Sequence, residues 1–231
     1  MTIRQAFLRL MLLSGTWLAL GAVGSVGADS ITYSVSVNTS SINGVAGSFD
    51  LEFNPGGLGS LPATATVTNF TTDATLFPPP GTDGAVTGTL QPGPLTIDNT
   101  AALNDLYESA TFGTTISFDV TLSGQALNNP NPADPGSLFA LLLSDNNGNS
   151  LLTTDTTYGG SVLVVNVNAD GTTTPLTFPQ SSTDSTPAAS VVPEVSSTPE
   201  PSSLALMSFG MVTLAAWRWR RGRRANLAPV F

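Results

Sequence analysis

The chain has 231 residues, only 10% of them charged, and it contains neither cysteine nor histidine. All seven basic residues are arginines near the two ends, whereas all 16 acidic residues lie between Asp29 and Glu200, so segment 29–201 has no positive side chain. This composition excludes disulfides, thiolate or histidine metal sites, histidine-dependent triads and lysine Schiff bases, and it argues against nucleic-acid binding, which depends on cationic contacts with phosphate. We therefore expect no enzymatic activity.

Residues 1–28 predict a secretory signal peptide. Two arginines precede a mostly apolar stretch, 10–23, and small residues then lead to Ala28. Polar, strand-like sequence begins at Asp29, as expected after a cleavage site. We therefore expect cleavage between Ala28 and Asp29, after export through the inner membrane.

Residues 29–178 predict one acidic all-β domain. Apolar and polar residues alternate with period two, as in strands with one buried face, in three windows: 31–37, 49–53 and 116–122. Two continuously apolar runs, 138–143 and 162–165, predict central strands that are covered more fully. Residues 101–107 are interpreted as a short helical turn. Roughly eight to ten short strands separated by turn-forming clusters predict a single β-sandwich or jelly-roll-like domain.

One pair of carboxylates lies on a predicted strand. Asp50 and Glu52 are two residues apart, so both side chains point to the same face. Such a pair can catalyse glycoside hydrolysis, or it can be the solvated face of an amphipathic strand. We favour the solvated face, because no tryptophan or tyrosine lies nearby in sequence to hold a sugar.

A second polar segment is a candidate calcium site. Asp145, Asn147 and Asn149 offer oxygen ligands at alternate positions, and Asp155 follows them. The glycine is misplaced for an EF-hand and the closing glutamate is missing, so an Asn-Gly hairpin turn explains the segment more simply. Ca²⁺ is the one cofactor for which the sequence offers a candidate site.

A carbohydrate-binding module is an alternative function for the domain, by analogy with other sandwiches. Such a module needs exposed aromatic side chains on one face, and the candidates are Tyr33, Tyr107 and Tyr158. Thr64, Thr66 and Thr68 alternate on one strand, as in a flat ice-binding array, although threonine is also an ordinary strand former.

Residues 179–198 are rich in Ser, Thr and Pro and predict a linker, either bare or O-glycosylated. The tripeptide Pro199-Glu200-Pro201 follows, and then a mostly apolar run, 204–219. As a helix this run reaches about 24 Å, short of a ~30 Å hydrocarbon core, but Trp and Arg at its end can anchor it at the interface. We therefore expect a transmembrane helix.

An arginine cluster ends this helix and should stay on the cytoplasmic side, which places the domain outside. Its members are Arg218, Arg220, Arg221, Arg223 and Arg224, and a short tail, 225–231, follows them.

The order of these features resembles the PEP-CTERM sorting signal, a tail also described as an ice-binding protein C-terminal domain. The resemblance covers 199–224 and implies recognition by an exosortase, with processing near the Pro-Glu-Pro motif. It also implies a link to exopolysaccharide. The central region resembles a group of PEP-CTERM proteins without an assigned activity. We therefore expect an exported structural or interaction protein, anchored in the inner membrane by its C-terminal helix before it reaches the cell surface or the medium.

Overall fold

The computed structural model describes residues 30–181 and 183–194, together with Thr213. The predicted signal peptide and its cleavage site, the Pro-Glu-Pro motif, the arginine cluster and the tail lie outside these residues, as does the predicted transmembrane helix apart from Thr213. Within the described part of the chain, no helix has the length and apolarity needed to cross a membrane.

Antiparallel strands dominate the described residues, and all of these strands belong to one compact unit. In chain order the elements are β1 (Ser30–Asn38), a 3-10 turn (Ser40–Ile42), β2 (Ala46–Pro55), β3 (Ala63–Thr72), β4 (Thr75–Leu76), β5 (Gly81–Asp83), β6 (Val86–Gly88), β7 (Leu95–Asp98), β8 (Asp105–Thr111), β9 (Thr115–Gly124), α1 (Gln125–Asn128), β10 (Ser137–Asp145), β11 (Ser161–Val167), β12 (Thr173–Thr177) and β13 (Ala189–Glu194).

The strands form two sheets. Sheet A has the order β13-β1-β9-β3-β7-β6, and sheet B has the order β12-β11-β10-β2-β8-β4, with β5 also paired to β8. Buried side chains from both sheets belong to one hydrophobic cluster. The predicted all-β class is therefore confirmed, in the form of two antiparallel sheets with almost no helix.

Phenylalanine rings connect the two sheets through this core. Phe49 of sheet B stacks on Phe70 of sheet A, with ring centroids 5.6 Å apart. Phe118 of sheet A meets Phe139 of sheet B edge to face, with centroids 6.3 Å apart. Aromatic pairs of this kind add to the stabilisation from burial itself.

The alternating windows of the sequence are all strands, within β1, β2 and β9. On β9, for example, Ile116, Phe118, Val120 and Leu122 are buried while the residues between them are not. The two apolar runs lie in β10 and β11, neighbouring strands inside sheet B. Period-two burial thus follows directly from the pleat, which sends successive side chains to opposite faces.

Two sequence-based expectations differ from the structure. The predicted helical turn at 101–107 is wrong, because residues 101–104 form a bend and β8 begins at residue 105. Its Leu106, Glu108 and Ala110 are buried and alternate with the exposed Tyr107 and Ser109, with the period of a strand. The predicted linker 179–198 contains an edge strand, β13, which pairs with β1. Its Pro193 is tolerated because proline, which cannot donate to a ladder, is accepted on edge strands.

Replacing Phe139 by alanine should lower the free energy of unfolding by about 3–5 kcal/mol, because it removes a fully buried ring from the junction of the two sheets. Urea unfolding of the full chain in non-ionic detergent, followed by circular dichroism, measures the change. Leu58→Ala is the matched control, since Leu58 is fully exposed and its removal should change stability little. Equal effects of the two substitutions would contradict this account of the core.

Candidate functional site

A cluster of acidic side chains lies on the outer face of sheet B. Asp50 and Glu52 alternate along β2 with core residues, so both point away from the core. In the register of the sheet Glu52 lies opposite Asp105 of β8, and Asp105 lies opposite Asp83 of β5. We call Asp50, Glu52 and Asp105 the carboxylate cluster, and Asp83 is its exposed neighbour.

The three side chains of the cluster lie close enough to share one ligand. One carboxylate oxygen from each lies within 4.8 Å of the others, and no other three acidic side chains among residues 30–181 and 183–194 do so. Like charges directly opposite each other destabilise a sheet. No lysine, arginine or histidine occurs between residues 29 and 201 to offset the repulsion.

Hydrogen bonds satisfy the cluster only in part. Asn54 Nδ2 donates to Glu52 Oε2 over 2.9 Å, and the backbone N–H of Asp83 donates to Asp105 Oδ1 over 3.1 Å. Asp50 Oδ1 is buried and accepts no hydrogen bond, and it is the only such side-chain atom in the described part of the chain. The cluster therefore contains one acceptor that the protein itself leaves without a donor.

The electrostatics of the cluster follow from this crowding. Burial, with added repulsion from Glu52, Asp105 and Asp83, raises the pKa of Asp50 to about 7. Burial and the Asp105 charge likewise raise the pKa of Glu52, and burial raises that of Asp105. Near neutral pH the cluster can therefore take up a proton or a cation at little cost.

A braced loop supports one side of the cluster. The residue before Asp105 is Asn104, which is fully buried. Its Oδ1 accepts hydrogen bonds from the backbone N–H groups of Ala85 and Ala101, and its Nδ2 donates to the Phe53 carbonyl. These bonds fix the start of β8. The position of Asp105 is therefore set by backbone that is held on several sides.

One aromatic ring borders the cluster. Tyr107 lies opposite Asp50 in the sheet and is 47% exposed. Its ring covers Gly81, where an added Cβ would overlap Tyr107 Cζ. Glycine at this position therefore leaves room for the Tyr107 ring over the backbone of β5.

The calcium site suggested by the sequence is a hydrogen-bonded turn. Asp145 Oδ1 accepts from the backbone N–H groups of Asn147 and Asn149, at 2.8 and 2.9 Å, and its Oδ2 accepts from Asn149 Nδ2 at 2.9 Å. Asp155 makes a separate bond, accepting from the Thr157 backbone N–H. Both oxygens of Asp145 are thus occupied by donors, and ion binding there stays a prediction.

The three candidate tyrosines have different surroundings. Tyr33 is buried and its hydroxyl forms a 2.7 Å hydrogen bond with Thr173 Oγ1, and Tyr158 packs on Phe178 with centroids 5.6 Å apart. Of the three, Tyr107 alone is exposed. They form no aromatic row.

A row of threonines crosses the outer face of sheet A. Thr66, one of three alternating threonines on β3, lies opposite Thr121 on one side and Thr96 on the other. The register extends the row outward to Thr32 and Thr87. The threonine row, Thr32, Thr121, Thr66, Thr96 and Thr87, thus spans five strands, whereas the sequence alone indicated an array on one strand only.

Replacing Asp50 by asparagine should stabilise the protein at pH 8 in EDTA. Folding raises the pKa of Asp50 from 3.8 to about 7. The contribution of Asp50 to stability is therefore full below pH 3.8 and is lost as the pH rises through 7. Asparagine does not ionise, so the advantage of the variant should grow between pH 4 and pH 8. Urea unfolding at several pH values measures it.

Asp73→Asn is the control of opposite sign. Hydrogen bonds from Thr114 and Thr115 lower the pKa of Asp73 to about 2, so its contribution is present above pH 3.8 and is lost as the pH falls toward 2. This variant should be less stable than the parent at pH 8. Parallel pH profiles for the parent and Asp50→Asn would refute the electrostatic account of the cluster.

The comparisons with known proteins concern the C-terminal part of the chain. Residues 197–221 match the PEP-CTERM protein-sorting motif. No curated protein and no solved structure shows significant similarity to the chain. The motif marks proteins that are exported and sorted by an exosortase at the membrane. The chain is therefore a PEP-CTERM sorting domain-containing protein.

Proposed function

We propose that this protein is a structural or interaction component of the extracellular polysaccharide matrix. Its β body, which we take to be a sandwich, is exported, held for a time at the inner membrane by the C-terminal helix, and passed by an exosortase to the surface or the medium. The observation that carries the proposal is the sorting motif at 197–221. The absence of lysine, arginine, histidine and cysteine from 29–201 supports a role without turnover, because serine and threonine there have no basic partner to activate them.

The geometry of the carboxylate cluster supports a non-catalytic role. A glycosidase holds its two carboxyl groups ~5–9.5 Å apart, on either side of the scissile bond. Here three carboxylates place oxygens within 4.8 Å of one another on the face of a sheet. These oxygens lie closer together than the two carboxyl groups of a glycosidase, which favours one shared ligand, so hydrolysis by Asp50 and Glu52 is the less favoured alternative.

The threonine row supports association with polysaccharide through many weak contacts. Its side chains are half-buried or exposed and lie on a sheet face rich in hydroxyl groups. Hydroxyls both donate and accept, and so they suit the hydroxyls of a glycan. A carbohydrate-binding module of high affinity is the second candidate, and the exposed Tyr107 ring is the observation in its favour. Specific hits on a glycan array would favour the module over the structural role.

Replacing Pro199, Glu200 and Pro201 by alanine should block sorting. In a host with an active exosortase we expect the parent protein in the matrix fraction and the variant retained in the inner membrane. Cell fractionation and immunoblotting measure the distribution. Ser181→Ala with Thr183→Ala, outside the matched motif, is the control and should behave as the parent does.

Two further arms separate sorting from matrix association. Deleting the exosortase should retain the parent protein as the motif variant is retained. Digesting the polysaccharide should release the sorted protein into the medium. Normal delivery of the motif variant to the matrix would contradict the sorting mechanism. If digesting the polysaccharide did not release the sorted protein, the matrix role would be contradicted.

A further inference from the structure

We propose that the carboxylate cluster is a divalent cation site, with Ca²⁺ the best-fitting ion and Asp50, Glu52 and Asp105 its protein ligands. The site lies on the outer face of sheet B and does not depend on the sorting motif. It is also separate from the turn at Asp145.

The spacing of the oxygens fits calcium. Ca²⁺ binds six to eight oxygens at 2.3–2.6 Å, so ligands on opposite sides of the ion are about 5 Å apart. The three oxygens of the cluster lie within 4.8 Å of one another. One ion can therefore contact all three carboxylates, whereas the shorter and stricter Mg²⁺ shell would require them to draw together.

The unpartnered Asp50 oxygen is the observation that points to a ligand. Asp50 Oδ1 is buried and receives no hydrogen bond, and the side chains facing it, Glu52 and Asp105, are themselves acceptors. By contrast, Asp119 on sheet A accepts hydrogen bonds from Ser34 Oγ and Asn69 Nδ2, one at each oxygen. A buried acceptor among acceptors is costly unless a proton or a cation fills the gap.

The other two ligands keep capacity for an ion. Asp105 is only 6% exposed, and it uses one oxygen for the Asp83 N–H. Glu52 likewise uses one oxygen, for Asn54 Nδ2. The second oxygen of each carboxylate accepts no hydrogen bond in the described part of the chain. Both side chains are thus oriented by a donor on one oxygen while the other stays open, as expected of supported ligands.

The charge balance also favours a cation. Buried carboxylates are normally paired with a positive group, and segment 29–201 contains none. Asp83, exposed beside Asp105, adds a further negative charge at the open side. Water would complete the coordination shell there.

The test is terbium luminescence, with Tb³⁺ standing in for Ca²⁺ and Tyr107 as the antenna. Tyr107 lies opposite Asp50, with Cα atoms about 5 Å apart, so an ion in the cluster should be sensitised by its ring. The full chain in non-ionic detergent at pH 8 should give a signal that Ca²⁺ displaces. Asp50→Asn and Asp105→Asn should each weaken Ca²⁺ binding at least tenfold, while Asp145→Asn, the control, should leave it unchanged.

Tyr107→Phe separates the antenna from the site. It should abolish most of the luminescence yet keep the rise in melting temperature with millimolar Ca²⁺, because the ligands remain and a ligand of the native state stabilises it. Asp50→Asn should show no such rise although it stays folded. No Ca²⁺-displaceable signal in the parent, an unchanged signal in Asp50→Asn, or loss of the signal in Asp145→Asn would each overturn the proposal.

Discussion

The body of this protein, residues 30–194, has no cationic side chain, and this constraint governs how every carboxylate in it is accommodated. Most exposed acids solve the problem locally with hydrogen-bond donors. Asp73 accepts from the Thr114 and Thr115 backbone, and Asp145 accepts from the asparagines of its own turn. Where three acids meet on β2 and β8, donors are too few, and the surplus charge must be met by protons or by ions from outside. We therefore expect the stability of the body to depend on pH and on cations mainly through this cluster.

Stability must come from apolar packing and from buried amides, since the chain has no cysteine and segment 29–201 has no cationic side chain with which its own acids could form ion pairs. The phenylalanine contacts between the sheets supply the first. Asn104 and Asn99 supply the second: Asn99 accepts from the Ala63 backbone and donates to the Leu61 carbonyl and Ser137 Oγ, which ties the connections between strands to both sheets. Even a carboxyl lies on the core face, because Glu108 is buried on the same side of β8 as Leu106 and Ala110, and this burial raises its pKa.

The sequence predicted the strands better than it predicted the site, for a physical reason. Alternation is a local property of each strand, so β1, β2 and β9 were visible in the residues themselves. Pairing between strands joins residues far apart in the chain, and no local pattern indicates that Asp105 lies opposite Glu52. The interpretation of 101–107 as helical also kept Asp105 from being assigned to a strand, although the alternation of residues from 105 to 111 indicates a strand there. The strand at 189–194 was missed because its surroundings have the composition of a linker.

The pairing of β13 with β1 has a mechanical consequence. Thr32 lies opposite Glu194, so the two ends of the body leave from neighbouring strands, one of them at the edge of sheet A. Because the start of β1 and the end of β13 lie together, pulling these two ends apart loads the Thr32–Glu194 pair first and opens the pairs one after another. Ala189 of this strand is buried and Val191 packs against the core, so release of β13 uncovers one edge of the core and frees about 20 Å of extended chain. We therefore expect β13 to be the first strand to leave the body under such a load, before the two sheets separate.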